Sequence, residues 1–107
     1  MMTDKEKNIT QKIKSKIAKK DPTAEVILFG SHARGQANAD SDWDILILTG
    51  NPMMSRLMER EYRDEIFDIE LEIGEAISTY VFSKKDWEEK HFITPLYANI
   101  KLEGIYI

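Results

Sequence analysis

The 107-residue sequence contains no cysteine, which excludes disulfides and thiolate metal sites. Long apolar runs are also missing: none approaches the roughly 18 residues needed to cross a bilayer, so no membrane span is expected. With only three prolines and five glycines, the chain has no Gly-, Ser- or Pro-rich linker, and it carries no internal repeat. A single domain over residues 1–107 is the expectation. The opening MMTDKEKNIT is charged where a secretory signal needs an apolar stretch, so a cytoplasmic location is expected. Histidine is scarce, and His32 and His91 lack metal-ligand spacing, so His32 is read as a surface residue.

Positive charge is scarce beyond the first twenty residues. Those twenty hold seven Lys against Asp4 and Glu6, a local charge of +5, whereas the remainder carries −9. An acidic body without a broad basic surface argues against nucleic acid as the general partner, because phosphate contacts need Lys and Arg. Within the lysine-rich segment Ile9, Ile13 and Ile17 recur at four-residue spacing. This predicts an amphipathic helix with a solvated basic face, stopped at Asp21-Pro22.

Three apolar segments read as strands: EVILFG ending at Gly30, WDILIL before Thr49-Gly50-Asn51-Pro52, and ISTYVFS over 77–83. Between the second and third, Met54, Met58, Tyr62, Ile66, Ile69 and Ile73 form a helical stripe that Gly74 terminates. A short helix is predicted from Ser83 or Lys84 through Trp87, and a last one from Pro95 to Glu103. The closing Ile-Tyr-Ile is apolar enough to dock. The expected class is α+β in two layers, a mixed three-stranded sheet with flanking helices in the order α-β-α-β-α-β-α-α. Only residues 31–41 separate the first two strands, too few for an easy parallel crossover. An antiparallel pair is favoured, which sets the end of the first strand beside the start of the second.

Those two ends hold the candidate chemistry. Residues i and i+2 of a strand share a face, with Cα atoms roughly 6.5–7 Å apart, so Asp42 and Asp44 present two carboxylates together. Such a pair repels itself without a cation, and oxygen ligands of this kind suit Mg²⁺ in phosphoryl transfer. Beside it, Gly30 permits close backbone approach, Ser31 offers a cap hydroxyl, and free N–H groups there attract phosphate. Gly30 and Gly35 bracket four residues as in a P-loop, but Gln36 and Ala37 stand where that motif requires Lys and Ser or Thr. Arg34 supplies positive charge from within the turn instead.

The segment GSHARGQANADSDWDILIL resembles the signature of the DNA polymerase beta-like nucleotidyltransferase superfamily, specifically the minimal nucleotidyltransferases that serve as MNT-type antitoxins. The motif covers residues 27–48, and the order of elements extends the likeness over most of the chain. The resemblance implies a nucleotidyltransferase-like fold and transfer of a nucleotidyl group, usually AMP from ATP, to a hydroxyl. On this sequence it makes Asp42 and Asp44 the Mg²⁺ (or Mn²⁺) ligands and Gly30, Ser31 and Arg34 the nucleotide-binding residues. It also implies a HEPN-type toxin as partner. The family's third carboxylate, on the third strand, is replaced by Ser78, with Glu70, Glu72 and Glu75 as nearby alternatives. That replacement leaves two expectations open: an active transferase, or a nucleotide-binding module that works by binding a partner protein.

Overall fold

The computed structural model describes residues 2–38 and 40–107. The chain begins with α1 (Asp4–Lys20), followed by β1 (Glu25–Phe29), the single-turn α2 (Gly30–Arg34) and β2 (Trp43–Thr49). After these come α3 (Arg56–Ile73), β3 (Ile77–Ser83), α4 (Lys84–Glu89), α5 (Pro95–Glu103) and β4 (Ile105–Tyr106). No helix among the described residues is long and apolar enough to cross a membrane.

The sheet runs β3-β2-β1-β4. As the short connection requires, β1 and β2 are antiparallel, with Phe29 opposite Asp44. Strands β2 and β3, joined through α3, are parallel, with Asp44 opposite Ser78. The fold is the α+β arrangement expected, except that the sheet has four strands rather than three. Ile105 and Tyr106 pair antiparallel with Leu28 and Ile27, and the Ile107 N–H donates to the Val26 carbonyl at 3.0 Å. An apolar tail next to an open strand edge satisfies its backbone by pairing with it.

Alternation along the central strands divides the core in two. Val26, Leu28, Ile45 and Ile47 pack with Ile9, Ile13 and Ile17 of α1 and Tyr62, Ile66 and Ile69 of α3. Ile27, Phe29, Leu46 and Leu48 pack on the other face against Trp87 of α4 and Ile100 of α5. Covering both faces explains why β1 and β2 read as unbroken apolar runs. It also fixes the direction of Asp44, which shares the α5 side with Leu46 and Leu48.

The expected solvated face of α1 holds for Lys7, Lys14 and Lys19, which are exposed, but not for all its lysines. Three of the seven form a ladder across to α3: Lys12 to Glu72 at 2.5 Å, Lys16 to Asp68 at 3.5 Å and to Glu65 at 3.8 Å, and Lys20 to Glu61 at 2.9 Å. Just beyond α3, Glu75 pairs with Lys5 at 3.0 Å. Exposed pairs contribute little singly, about 0–1 kcal/mol each. Together they span the seam between α1 and α3 alongside the buried isoleucine contacts. Part of the basic segment is thus partnered within the chain.

At the end of β2 farthest from the candidate carboxylates, Asp21 gathers four donors. Its oxygens accept from the Thr23 N–H at 2.9 Å, the Thr23 and Thr49 hydroxyls at 2.6 Å each, and the Tyr62 hydroxyl at 2.7 Å. Burial alone would raise its pKa, but these hydrogen bonds outweigh burial and hold it at about 2. A folded pKa below the unfolded one stabilises the fold above about pH 4, and the contribution is lost as pH falls toward 2. Asp21→Asn is therefore expected to cost about 1 kcal/mol at pH 7, after allowing for solvent screening. Acid unfolding followed by circular dichroism should become flatter between pH 4 and pH 2. An unchanged profile would show that the carboxylate charge is not what the network holds.

Candidate active site

The site forms where β1 ends and β2 begins. Gly30 has φ of +75°, a left-handed conformation that side-chain-bearing residues rarely adopt, and this turns the chain sharply from β1 into α2. A Cβ at this position would overlap the Asp44 carboxylate, so the absent side chain is what lets Asp44 lie against the turn. Gly35, at the other end of α2 with φ of +71°, faces open space. The two glycines thus differ in kind. Gly35→Ala is expected to cost about 1 kcal/mol, from the left-handed backbone alone. Gly30→Ala is expected to cost more than about 2 kcal/mol in urea unfolding, because overlap is added to strain. Equal costs would remove the proposed tight fit of Gly30 to Asp44.

Asp44 is half-buried and Asp42, one residue before β2, is exposed. Burial raises the Asp44 pKa, and the negative charge of Asp42 raises it further. Glu103 adds to the rise, whereas His32 and Arg34 oppose it. The carboxylate is thus held where its charge is disfavoured, the condition that a bound cation relieves. Among the described residues no group of three or more His, Cys, Asp or Glu stands ready to hold a metal ion. Two carboxylates still fit Mg²⁺, which keeps several waters and takes further oxygens from substrate phosphates.

The structure brings Gly30, Asp42 and Asp44 together and places Arg34 within electrostatic reach of them. Ser31 lies in the first turn of α2, half-buried. It is not the helix cap: Phe29 occupies that position, without a side-chain cap bond. Arg34 is engaged at once by Gln36, through Nε at 3.1 Å, and by Glu103, through Nη1 at 3.0 Å.

Ser78 sits beside Asp44 in the parallel register, where its side chain shares the Asp44 face. The three glutamates considered as alternatives lie elsewhere. Glu72 pairs with Lys12, and Glu75 pairs with Lys5 while accepting the Trp43 indole N–H at 3.2 Å. Glu70 lines a groove with Arg63, Asp64, Phe67, Ile77 and Thr79.

His32 is buried, not at the surface. Its ring stacks on Trp43 with centroids 3.7 Å apart and planes 8° apart, and Nδ1 lies 2.8 Å from Glu6 Oε2. The hydrogen bond to His32 is the largest influence holding the Glu6 pKa down. Glu6 also closes the N-terminal capping box of α1 with Thr3. The first turn of the chain therefore braces the residue next to Asp44. Glu103 was not anticipated: it lies in no motif, and its partners Gly30 and Arg34 are 73 and 69 residues earlier.

Comparison with known proteins bears on the fold and the family. No curated protein sequence matches the chain significantly. Among solved structures, one described as "Crystal structure of the toxin-antitoxin with AMP-PNP" contains a chain of similar fold, with a TM-score of 0.66 at 16% identity. The alignment covers 90% of this chain and 69% of that one. The family model for the nucleotidyltransferase domain matches residues 10–106, which takes in both strands of the site and the whole Gly30 to Asp44 motif. The chain belongs to the nucleotidyltransferase domain family, in agreement with its resemblance to the minimal nucleotidyltransferases.

Proposed function

We propose that residues 1–107 act as one cytoplasmic domain that transfers AMP from ATP, with Mg²⁺ or Mn²⁺, to a hydroxyl of a protein or small-molecule acceptor. The observation that carries this is the half-buried Asp44, its pKa raised by burial and by Asp42, lying against a glycine that has no room for a side chain. Asp42 and Asp44 would hold the metal. Gly30 would offer its backbone N–H to a phosphate oxygen, Ser31 its hydroxyl, and Arg34 its guanidinium. When bound, the metal would offset negative charge on the phosphate oxygens as the acceptor oxygen replaces pyrophosphate. The chain's own part is to fix the phosphates with donors that need no reorganisation.

A HEPN-type toxin is the protein acceptor favoured by the sequence resemblance, and the toxin-antitoxin complex with AMP-PNP is a neighbour in fold. Incubation with labelled ATP, Mg²⁺ and the product of the neighbouring gene tests acceptor and reaction together. Label is expected on that product and is expected to vanish with Asp42→Asn and Asp44→Asn. Transfer that survives both substitutions would defeat the assignment.

Ser78 favours a second reading, in which the chain binds nucleotide and neutralises its partner by contact without transferring AMP. No carboxylate stands on β3 beside Asp44 to receive the acceptor proton. Partner capture with no label transferred would favour this reading.

A further inference from the structure

Glu103 is the last residue of α5, and its carboxylate reaches across to α2. Oε1 accepts the Gly30 backbone N–H at 3.2 Å and Arg34 Nη1 at 3.2 Å, and Oε2 accepts the same Nη1 at 3.0 Å. These are two of the three groups that the proposed function assigns to the triphosphate. An anionic oxygen of the chain itself thus occupies donors that a phosphate oxygen would need.

We infer that Glu103 is an internal phosphate mimic, which must release Gly30 and Arg34 before a nucleoside triphosphate can take them. The inference rests on the nucleotidyltransferase reading and adds to it a residue that sets nucleotide affinity. Glu103 is poorly placed to stay without these partners. It stands at the C-terminal end of a helix, where the macrodipole disfavours negative charge, and it shares its surroundings with Asp42 and Asp44. Arg34 and the Gly30 N–H offset that repulsion. Once phosphate oxygens compete for both, the carboxylate has lost its compensation, and its partial exposure of 21% leaves a short path to water. Departure needs only side-chain rotation, because β4, which begins two residues later, keeps its pairing with β1.

The contact also keeps Arg34 from ranging freely before any phosphate binds. A guanidinium held by one carboxylate exchanges it for another anion without first losing rotamer freedom. The cost is competition, since affinity falls by the fraction of molecules in which the donors are already taken.

Calorimetric titration with Mg·AMP-PNP tests this without requiring turnover. Glu103→Gln keeps the shape and removes the charge, and it is expected to bind about tenfold more tightly than the parent. Glu103→Asp retains the charge but withdraws it by one methylene, and it should shift affinity in the same direction. In an Arg34→Ala background the gain from Glu103→Gln should shrink, because the contested donor is gone. Melting curves establish that each variant is folded. Equal or weaker binding by folded Glu103→Gln would overturn the inference and make Glu103 a support for Arg34, with the nucleotidyltransferase reading intact. Failure of parent and variants alike to bind at millimolar concentration would instead remove that reading and the inference with it.

Discussion

Replacing Ser78 with Asp is expected to raise nucleotidyl transfer by about 10²- to 10⁴-fold, the range for a positioned general base. The expectation rests on register. Ser78 is the direct partner of Asp44 on a parallel neighbouring strand, so a carboxylate there would stand on the same face at about 4.8 Å strand spacing. It would add the third acid that the resemblance calls for, within reach of the acceptor hydroxyl. The same substitution has a thermodynamic signature. A further negative charge beside Asp44 should lower the melting temperature without divalent metal, and Mg²⁺ should recover more of it than in the parent. Both effects are required. A folded Ser78→Asp protein that gains neither transfer nor a larger Mg²⁺ response would place position 78 outside the reacting centre.

Asp44→Asn should act in two opposite directions. Transfer is expected to fall by roughly 10²- to 10³-fold, the scale for losing one preorganised electrostatic group. Stability without metal is expected to rise. The folded pKa of Asp44 lies above its unfolded value, because burial and then the Asp42 charge disfavour ionisation. Its favourable contribution is complete only below the unfolded value near pH 3.8 and disappears as pH rises through the folded one, so at pH 7 the carboxylate opposes folding. Asparagine removes that opposition while keeping the shape. Mg²⁺ should raise the melting temperature of the parent and leave Asp42→Asn/Asp44→Asn unmoved, since only a site in the folded state couples ligand to stability. Equal Mg²⁺ shifts in parent and double variant would eliminate the metal site.

The sequence showed the central strands clearly for a physical reason. Strands β1 and β2 are covered on both faces, so EVILF and WDILILT are nearly continuous apolar runs that turns interrupt sharply. Glycine marked the end of α3 because Gly74 adopts φ of +70° there. By contrast, β4 is two residues long and exists only through its pairing with β1, a contact that no local pattern encodes. The burial of His32 has no local signal, because α2 is a single turn, too short for periodicity to show which residues face inward. The Trp43 ring decides that. The proposed metal pair lay in a contiguous motif, whereas Glu103 reaches the site from the opposite end of the chain. The ladder does have a sequence signal: Lys12, Lys16 and Lys20 recur every four residues, and Glu61, Glu65, Asp68 and Glu72 recur at three- and four-residue helical steps.

That ladder governs how the molecule behaves toward polyanions. Undocked, α1 would be a cationic amphipathic peptide beside a body of charge −9, and each part would attract different company. Docked, Lys12, Lys16 and Lys20 spend their charge on α3. At physiological ionic strength the screening length is about 8 Å, so the close pairs persist while the distant field of the two halves fades. Adhesion to polyanions should therefore be stronger for the opened chain, and its increase on warming or in mild denaturant would report α1 leaving its seat.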